Sequence, residues 1–359
     1  MRVFGLFCAL LLLGLGGLLV WRGQALEVSP DRGLVVLGEA NVWAFHNPAQ
    51  VSWLDEDTLV FAGSPRKREV NLRPSHVYLW PVGQAPAIYG DDKWSGDDGY
   101  VCAQGGEISI SPQPASALNH GPLIVFRGTP GHERKQELAP STKDAQFWRH
   151  QQVNYRTLGS GAASGEKCDY PLEPGVGDHA WVAAHDRDTV LDFGPRGGTY
   201  LSITMLKRFG PSIRKVATLP MGPAEVAPFC TDTPAWDNSF VVWNCYGGVR
   251  PDRPTRIHRI FPDGSRRVLD VAPDPAIQGG MIVPFRDGYV VVVNPEDSPR
   301  SGGIFRLENG RALRLLPGAF APAAVSPSGC RMALFVYEPG PMSPSTLKII
   351  QLCEPKRHA

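Results

Sequence analysis

Eight polar residues stand just ahead of, or at the start of, apolar runs in this sequence. They are His46 and Asn47 in "FHNPAQ", Asp97 and Asp98 in "GDDGY", Asp178 and His179 in "GDHAW", Glu225 in "PAEVA" and Gln278 in "IQGG". Brought to one rim, the carboxylates and amides would offer oxygens to calcium, which takes six to eight of them. That set could serve a calcium-dependent hydrolase or lactonase, or hold a polar ligand. Left on separate turns, the same residues do no chemistry, because Asp and Asn populate turns for local hydrogen-bonding reasons.

Other chemistry finds weaker footing. The nine histidines are scattered, with no H-x-H or H-E-x-x-H spacing to suggest zinc. Gly159-x-Gly161 and Gly165 in "TLGSGAASG" resemble a dinucleotide loop only in composition. The segment "EKCDYPLEPG" that follows is poor helix material, and the fingerprint needs a helix there. "GDDKWSGDDGY" (90–100) could form an acidic, aromatic loop suited to a sugar or a cationic peptide, or a solvated turn. No Gly-x-Ser-x-Gly elbow occurs, so an α/β-hydrolase nucleophile is not expected. Lys and Arg total 36 against 35 Asp and Glu, a balance that offers no footprint for nucleic acid.

What could position such residues is a repeated strand pattern. Gly (39) and Pro (34) punctuate short apolar runs all along the chain, the pattern of many strands and many turns. "VSWLDEDTLVFAG" (51–63) reads strand, acidic turn, strand, and similar units start near residues 100, 180, 229, 281 and 325. These starts lie about 50 residues apart, with one interval of about 80, which suits propeller repeats. Most units carry a second hairpin, such as "RIHRIFPDGSRRVLDVAP" (256–273) and "GIFRLENGRALRLLPG" (303–318). Two hairpins make a four-stranded antiparallel blade. The long interval is attributed to an insertion within 129–146 and 159–167. The last unit ends on a third strand, "TLKIIQLC" (346–353), and "LVVL" (34–37) belongs to no unit. A strand lent from the N-terminus would complete the last blade and cover its edge.

The cysteines fit this frame. Cys230 begins one strand and Cys245 ends its neighbour; Cys330 and Cys353 stand in the same relation. Antiparallel pairing makes each pair close enough to bridge, and Cys102–Cys168 follows by elimination. Free buried thiols are the alternative. An apolar run from Val3 to Val20 follows Met1-Arg2, and small residues Gly23 and Ala25 follow it. Residues 1–26 are therefore expected to be a signal peptide or a signal anchor, with Cys8 an ordinary apolar-segment residue. Either places residues 27–359 outside the cytoplasm, where disulfides persist.

"VSPSGCRMALF" (325–335) resembles the Ser-Pro-Asp-Gly repeat of TolB-type six-bladed propellers, with Ser328 where Asp is typical. "SWLDEDTLVFAG" with "VYLWPV" (77–82) is similar to the same repeat. The resemblance implies architecture rather than activity, since related rings include envelope scaffolds and calcium-dependent hydrolases. The expectation is an all-β, six-bladed β-propeller closed by an N-terminal strand. It would be exported to the periplasmic or extracellular side of the membrane. Its expected role is binding an envelope protein or peptide without catalysis and without an obligatory cofactor, the calcium-dependent hydrolase being the alternative.

Overall fold

The structure, a computed structural model, describes residues 34–44, 51–65, 76–90, 100–111, 123–139, 179–184, 188–195, 202–209, 212–220, 231–243, 254–273, 280–293, 302–337 and 345–353. Among them all regular structure is β, and no helix is long and apolar enough to cross a membrane. The leader or anchor expected over residues 1–26 lies outside the described residues.

The strands fall into units of two successive hairpins. A first strand β1 (Val35–Ala44) precedes unit one, which is β2 (Val51–Trp53), β3 (Thr58–Ser64), β4 (His76–Pro81) and β5 (Ala87–Tyr89). Unit two is β6 (Tyr100–Gln104), β7 (Glu107–Ser111), β8 (Leu123–Gly128) and β9 (Arg134–Leu138). Unit three is β10 (His179–Ala183), β11 (Thr189–Pro195), β12 (Ser202–Phe209) and β13 (Ser212–Pro220). Unit four is β14 (Thr231–Pro234), β15 (Phe240–Trp243), β16 (Thr255–Ile260) and β17 (Arg266–Val271). Unit five is β18 (Met281–Phe285), β19 (Gly288–Val293), β20 (Gly303–Glu308) and β21 (Arg311–Pro317). Unit six contributes β22 (Phe320–Val325), β23 (Arg331–Val336) and β24 (Ser345–Gln351).

Units two to five are each a four-stranded sheet in chain order, and units one and six merge into one eight-stranded sheet. The join is β1. It runs antiparallel to β24 from Val35↔Gln351 to Ala44↔Ser345, and its end also pairs with β3 through Trp43↔Ser64 and Ala44↔Gly63. The run 34–37 was thus only the start of a ten-residue strand. Its second half alternates buried Ala40, Val42 and Ala44 with more open Asn41 and Trp43, the period of a strand covered on one face. Gly38 lies where a Cβ would come within 3.0 Å of the Trp80 indole, so glycine is what lets the strand pass over that ring.

Apolar side chains are buried between consecutive units rather than within them. In β15, Phe240 and Val242 pack against unit three, while Val241 and Trp243 pack against unit five. Both faces of the strand are covered, which is why "FVVW" is apolar throughout instead of alternating. Equivalent seams join units five and six, six and one, and one and two. Each fully buried Val, Ile or Phe contributes roughly 1.5–3 kcal/mol. The first strands adjoin in the order β10, β14, β18, β22, β2, β6.

One expectation is corrected. Residues 129–138 are not an insertion: Thr129–Glu133 turns β8 into β9, with Gly131 at φ +84° and the His132 amide donating to the Thr129 carbonyl. This outer strand, "RKQEL", is almost wholly exposed and polar, so no hydrophobic alternation announces it. The proposed remainder of that insertion, 159–167, lies outside the described residues.

Candidate functional site

The turn joining the first two strands of each unit is held by local side-chain bonds. In unit one the Asp55 carboxylate accepts the Asp57 amide at 2.8 Å. In unit four Asp237 Oδ1 accepts the Ser239 amide and hydroxyl at 3.1 and 2.5 Å. In unit six the Ser328 hydroxyl accepts the Cys330 amide at 3.2 Å. Short acceptors of this kind substitute for a backbone turn.

These turns meet. The Gly106 amide of unit two donates to the Leu54 carbonyl of unit one, and the Arg286 amide of unit five donates to the Gly329 carbonyl of unit six. Glu56 reaches the unit-six turn 270 residues away: Oε1 accepts the Ser326 and Ser328 hydroxyls at 3.1 and 2.6 Å, and Oε2 accepts the Ser328 amide at 2.9 Å. Arg331 answers by donating to the Glu56 carbonyl and to Asp57 Oδ1, both at 2.6 Å. The Trp53 indole N–H donates to the Ala324 carbonyl at 3.2 Å. From unit four the Trp236 indole packs onto Gly329, and its Nε1 is buried with no hydrogen-bond partner in the described structure.

The position where the resemblance places Asp therefore holds a serine with a physical reason. The carboxylate comes from Glu56 of the neighbouring unit, and a second one at 328 would face it. Ser328→Asp is expected to destabilise the chain by about 2–4 kcal/mol, from lost charge-assisted bonds and like-charge contact. Glu56→Gln should restore most of that loss; a urea melt in which the single and double variants are equally unstable would refute the pairing.

Beside this cluster, Arg259 is 9% exposed. Its Nη2 donates to Asp237 Oδ2 at 2.8 Å and its Nε to the Ser239 hydroxyl at 3.0 Å. The guanidinium also lies over the Phe261 and Tyr289 rings, 5.4 and 6.0 Å from their centroids. Carboxylates so engaged act as clamps between strands and turns rather than as nucleophiles or open metal ligands. Groups of three or more His, Cys, Asp or Glu suited to a metal ion do not occur among the described residues.

On β16, next to Arg259, His258 is 4% exposed, and neither ring nitrogen has a hydrogen-bond partner in the described structure. Burial, helped by the Arg266 and Arg256 charges, holds its pKa down at about 4. The unfolded chain binds this proton near the ordinary histidine pKa and the folded chain does not. The stabilisation is thus complete above about pH 6.5 and is lost as pH falls toward 4. On the order of 2 kcal/mol should be lost by pH 5. His258→Leu is expected to flatten that slope, and an unchanged slope would show that another group causes it.

Of the eight residues selected from the sequence, the structure describes His179, which opens β10 opposite Pro195. His46, Asn47, Asp97, Asp98, Asp178, Glu225 and Gln278 lie outside the described residues. All eight stand before or at the start of a first strand, so they belong to the end opposite the turn cluster. Cys330 and Cys353 form a disulfide with a Cα separation of 4.9 Å, tying the start of β23 to the end of β24. Cys102 is buried and disulfide-bonded. Cys168, Cys230 and Cys245 lie outside the described residues.

No protein-family model matches the chain, and no curated protein is similar to it in sequence. Among solved structures, a protein of unknown function from Dyadobacter fermentans is similar at TM-score 0.40 and 12% identity, covering 89% of this chain and 100% of that one. A puromycin-hydrolyzing peptidase of Mycobacterium tuberculosis is similar at TM-score 0.43 and 11% identity, covering 89% of this chain. The match spans 54% of the peptidase. BamB from Moraxella catarrhalis is similar at TM-score 0.37 and 12% identity, covering 91% of this chain and 99% of that one. Likenesses at this level assign no activity.

Proposed function

We propose that the chain is an exported, six-bladed propeller of TolB-like design, closed by β1, that acts as a non-enzymatic binding module for an envelope protein or peptide. The observation that carries this reading is how the carboxylates at the described end are engaged. Glu56 clamps the 326–328 turn, Asp57 holds Arg331, and Asp237 holds Arg259. Charge at this end serves rigidity, which favours a frame that presents surfaces over a site that turns over substrate. The succession of first strands and the β1–β24 pairing support closure of the ring.

The opposite end, with Asp97, Asp98, Asp178, His179, Glu225 and Gln278, is the proposed ligand face. A photo-crosslinking residue at Glu225 or Gln278 of the full chain is expected to give a discrete protein adduct in cells. The competing calcium reading makes a different demand. A tight native-state ion raises apparent stability by mass action, shifting the melting midpoint by several degrees. No such shift is expected between calcium and chelator. A shift abolished by Asp97→Ala with Asp178→Ala, together with absence of any adduct, would overturn the binding-module reading in favour of a hydrolase.

A further inference from the structure

The β12–β13 hairpin breaks a rule that the other seams obey. Its strands pair Phe209↔Ser212, Arg208↔Ile213, Lys207↔Arg214 and Leu206↔Lys215. Lys207 and Arg214 are thus directly opposite one another, a like-charge pairing that destabilises an antiparallel ladder. Phe209 is 51% exposed and Ile213 42%, among the most exposed large apolar side chains described. Paired residues share a face, so one face of the tip carries Phe209, Lys207 and Arg214, and the other carries Ile213, Arg208 and Lys215. Asp188 offsets part of this charge, 3.9 Å from Arg208 Nε. The Arg214 guanidinium lies 5.8 Å from the Phe209 ring centroid.

We propose that the tip of the β12–β13 hairpin docks into an anionic lipid surface, with Phe209 and Ile213 entering the headgroup layer and Lys207, Arg208, Arg214 and Lys215 binding lipid phosphates. Two observations select lipid over an acidic protein. The apolar side chains lie on opposite faces of the tip, which a headgroup layer surrounds and a single protein surface covers only in part. The chain's own route points the same way. The Arg208 amide donates to the Asp188 carbonyl, placing the tip at the first-turn end of unit three. Residue 34 enters the fold at the first-turn end of unit six, since Val35 pairs with Gln351 and the Leu352 amide donates to the Cys330 carbonyl. Residues 21–33 connect it to the apolar run 3–20. Thirteen residues at ~3.5 Å each reach about 45 Å. If that run stays in a bilayer, the tip faces the same surface.

The proposal goes beyond the partner-binding reading, which concerns the opposite end, and either can fail without the other. The full chain is reconstituted in vesicles of phosphatidylcholine alone, or of phosphatidylcholine mixed with phosphatidylglycerol, and amide hydrogen exchange is followed by mass spectrometry. Amides within 206–216 are expected to exchange on the order of tenfold more slowly with phosphatidylglycerol, since each cation near an anionic surface adds attraction. Raised salt should weaken the effect. Lys207→Glu with Arg214→Glu should remove it while β11 and β15 exchange as before, showing that the fold persists. Equal exchange in both lipids overturns the proposal. Protection that needs added poly-glutamate and not phosphatidylglycerol also overturns it, and reassigns the tip to an acidic protein partner.

Discussion

Replacing residues 34–44 with an equal run of glycine and serine is expected to abolish the cooperative unfolding transition, not merely to lower its midpoint. β1 supplies the fourth strand against β24 and also pairs with β3, so its loss opens two edges in the one sheet that joins the ends of the chain. The buried side chains Ala40, Val42 and Ala44 leave a seam shared with Trp53, Phe61, Trp80, Phe335 and Ile349. Ladder bonds worth about 1 kcal/mol each and apolar burial of a few kcal/mol more sum to a loss comparable with the 5–15 kcal/mol of a whole domain. Adding the 34–44 peptide should restore the transition in part, because the vacated edges are templates for a strand. Far-ultraviolet circular dichroism on heating decides the matter. A sharp transition within about 5 °C of the parent would mean that the two ends of the chain are held together by something other than β1.

The degree to which this architecture could be read from sequence varied with burial. Asp287-Gly288 between "MIVPF" and "YVVVV" announced β18 and β19 directly, because both strands are covered and the turn chemistry is specific. β9 left no trace, being an exposed outer strand whose residues answer to solvent. β1 was legible only over its first residues, since its later half alternates alanine and valine with polar residues and so lacks a continuous apolar run. The turn cluster was the least legible part. Glu56 looked like one acid in an acidic turn, and nothing local says that it meets Ser326 and Ser328 across 270 residues. The one available signal was the serine at 328, a departure from the repeat whose meaning requires knowing which unit lies alongside. Of the residues chosen for chemistry, His179 was placed correctly at a strand start, and chemistry at that end remains a proposal.

A second large effect is expected at Gly329. The residue sits in the turn between β22 and β23 at φ +73°, and a Cβ there would come within 2.4–2.6 Å of three atoms of the Trp236 indole. Gly329→Ala therefore meets two costs: about 1–2 kcal/mol for a left-handed backbone and about 1–3 kcal/mol for overpacking against a ring that has little room to retreat. The two can be separated. In a Trp236→Ala background the steric part disappears and only the backbone part remains, so the pair should couple by about 1–3 kcal/mol in a double-mutant cycle. Gly329→Asn, which tolerates positive φ, should still show the clash and so lie closer to alanine than to glycine. The coupling reports on more than one turn. Trp236 belongs to unit four and Gly329 to unit six, so their contact passes over unit five, whose Arg286 amide donates to the same Gly329 carbonyl. Three turns from three units can converge on one residue only if the units are arranged around a common centre. Additive costs in the cycle would mean that Trp236 does not reach Gly329 in solution, and the argument for a closed end made of interlocked turns would fall with it.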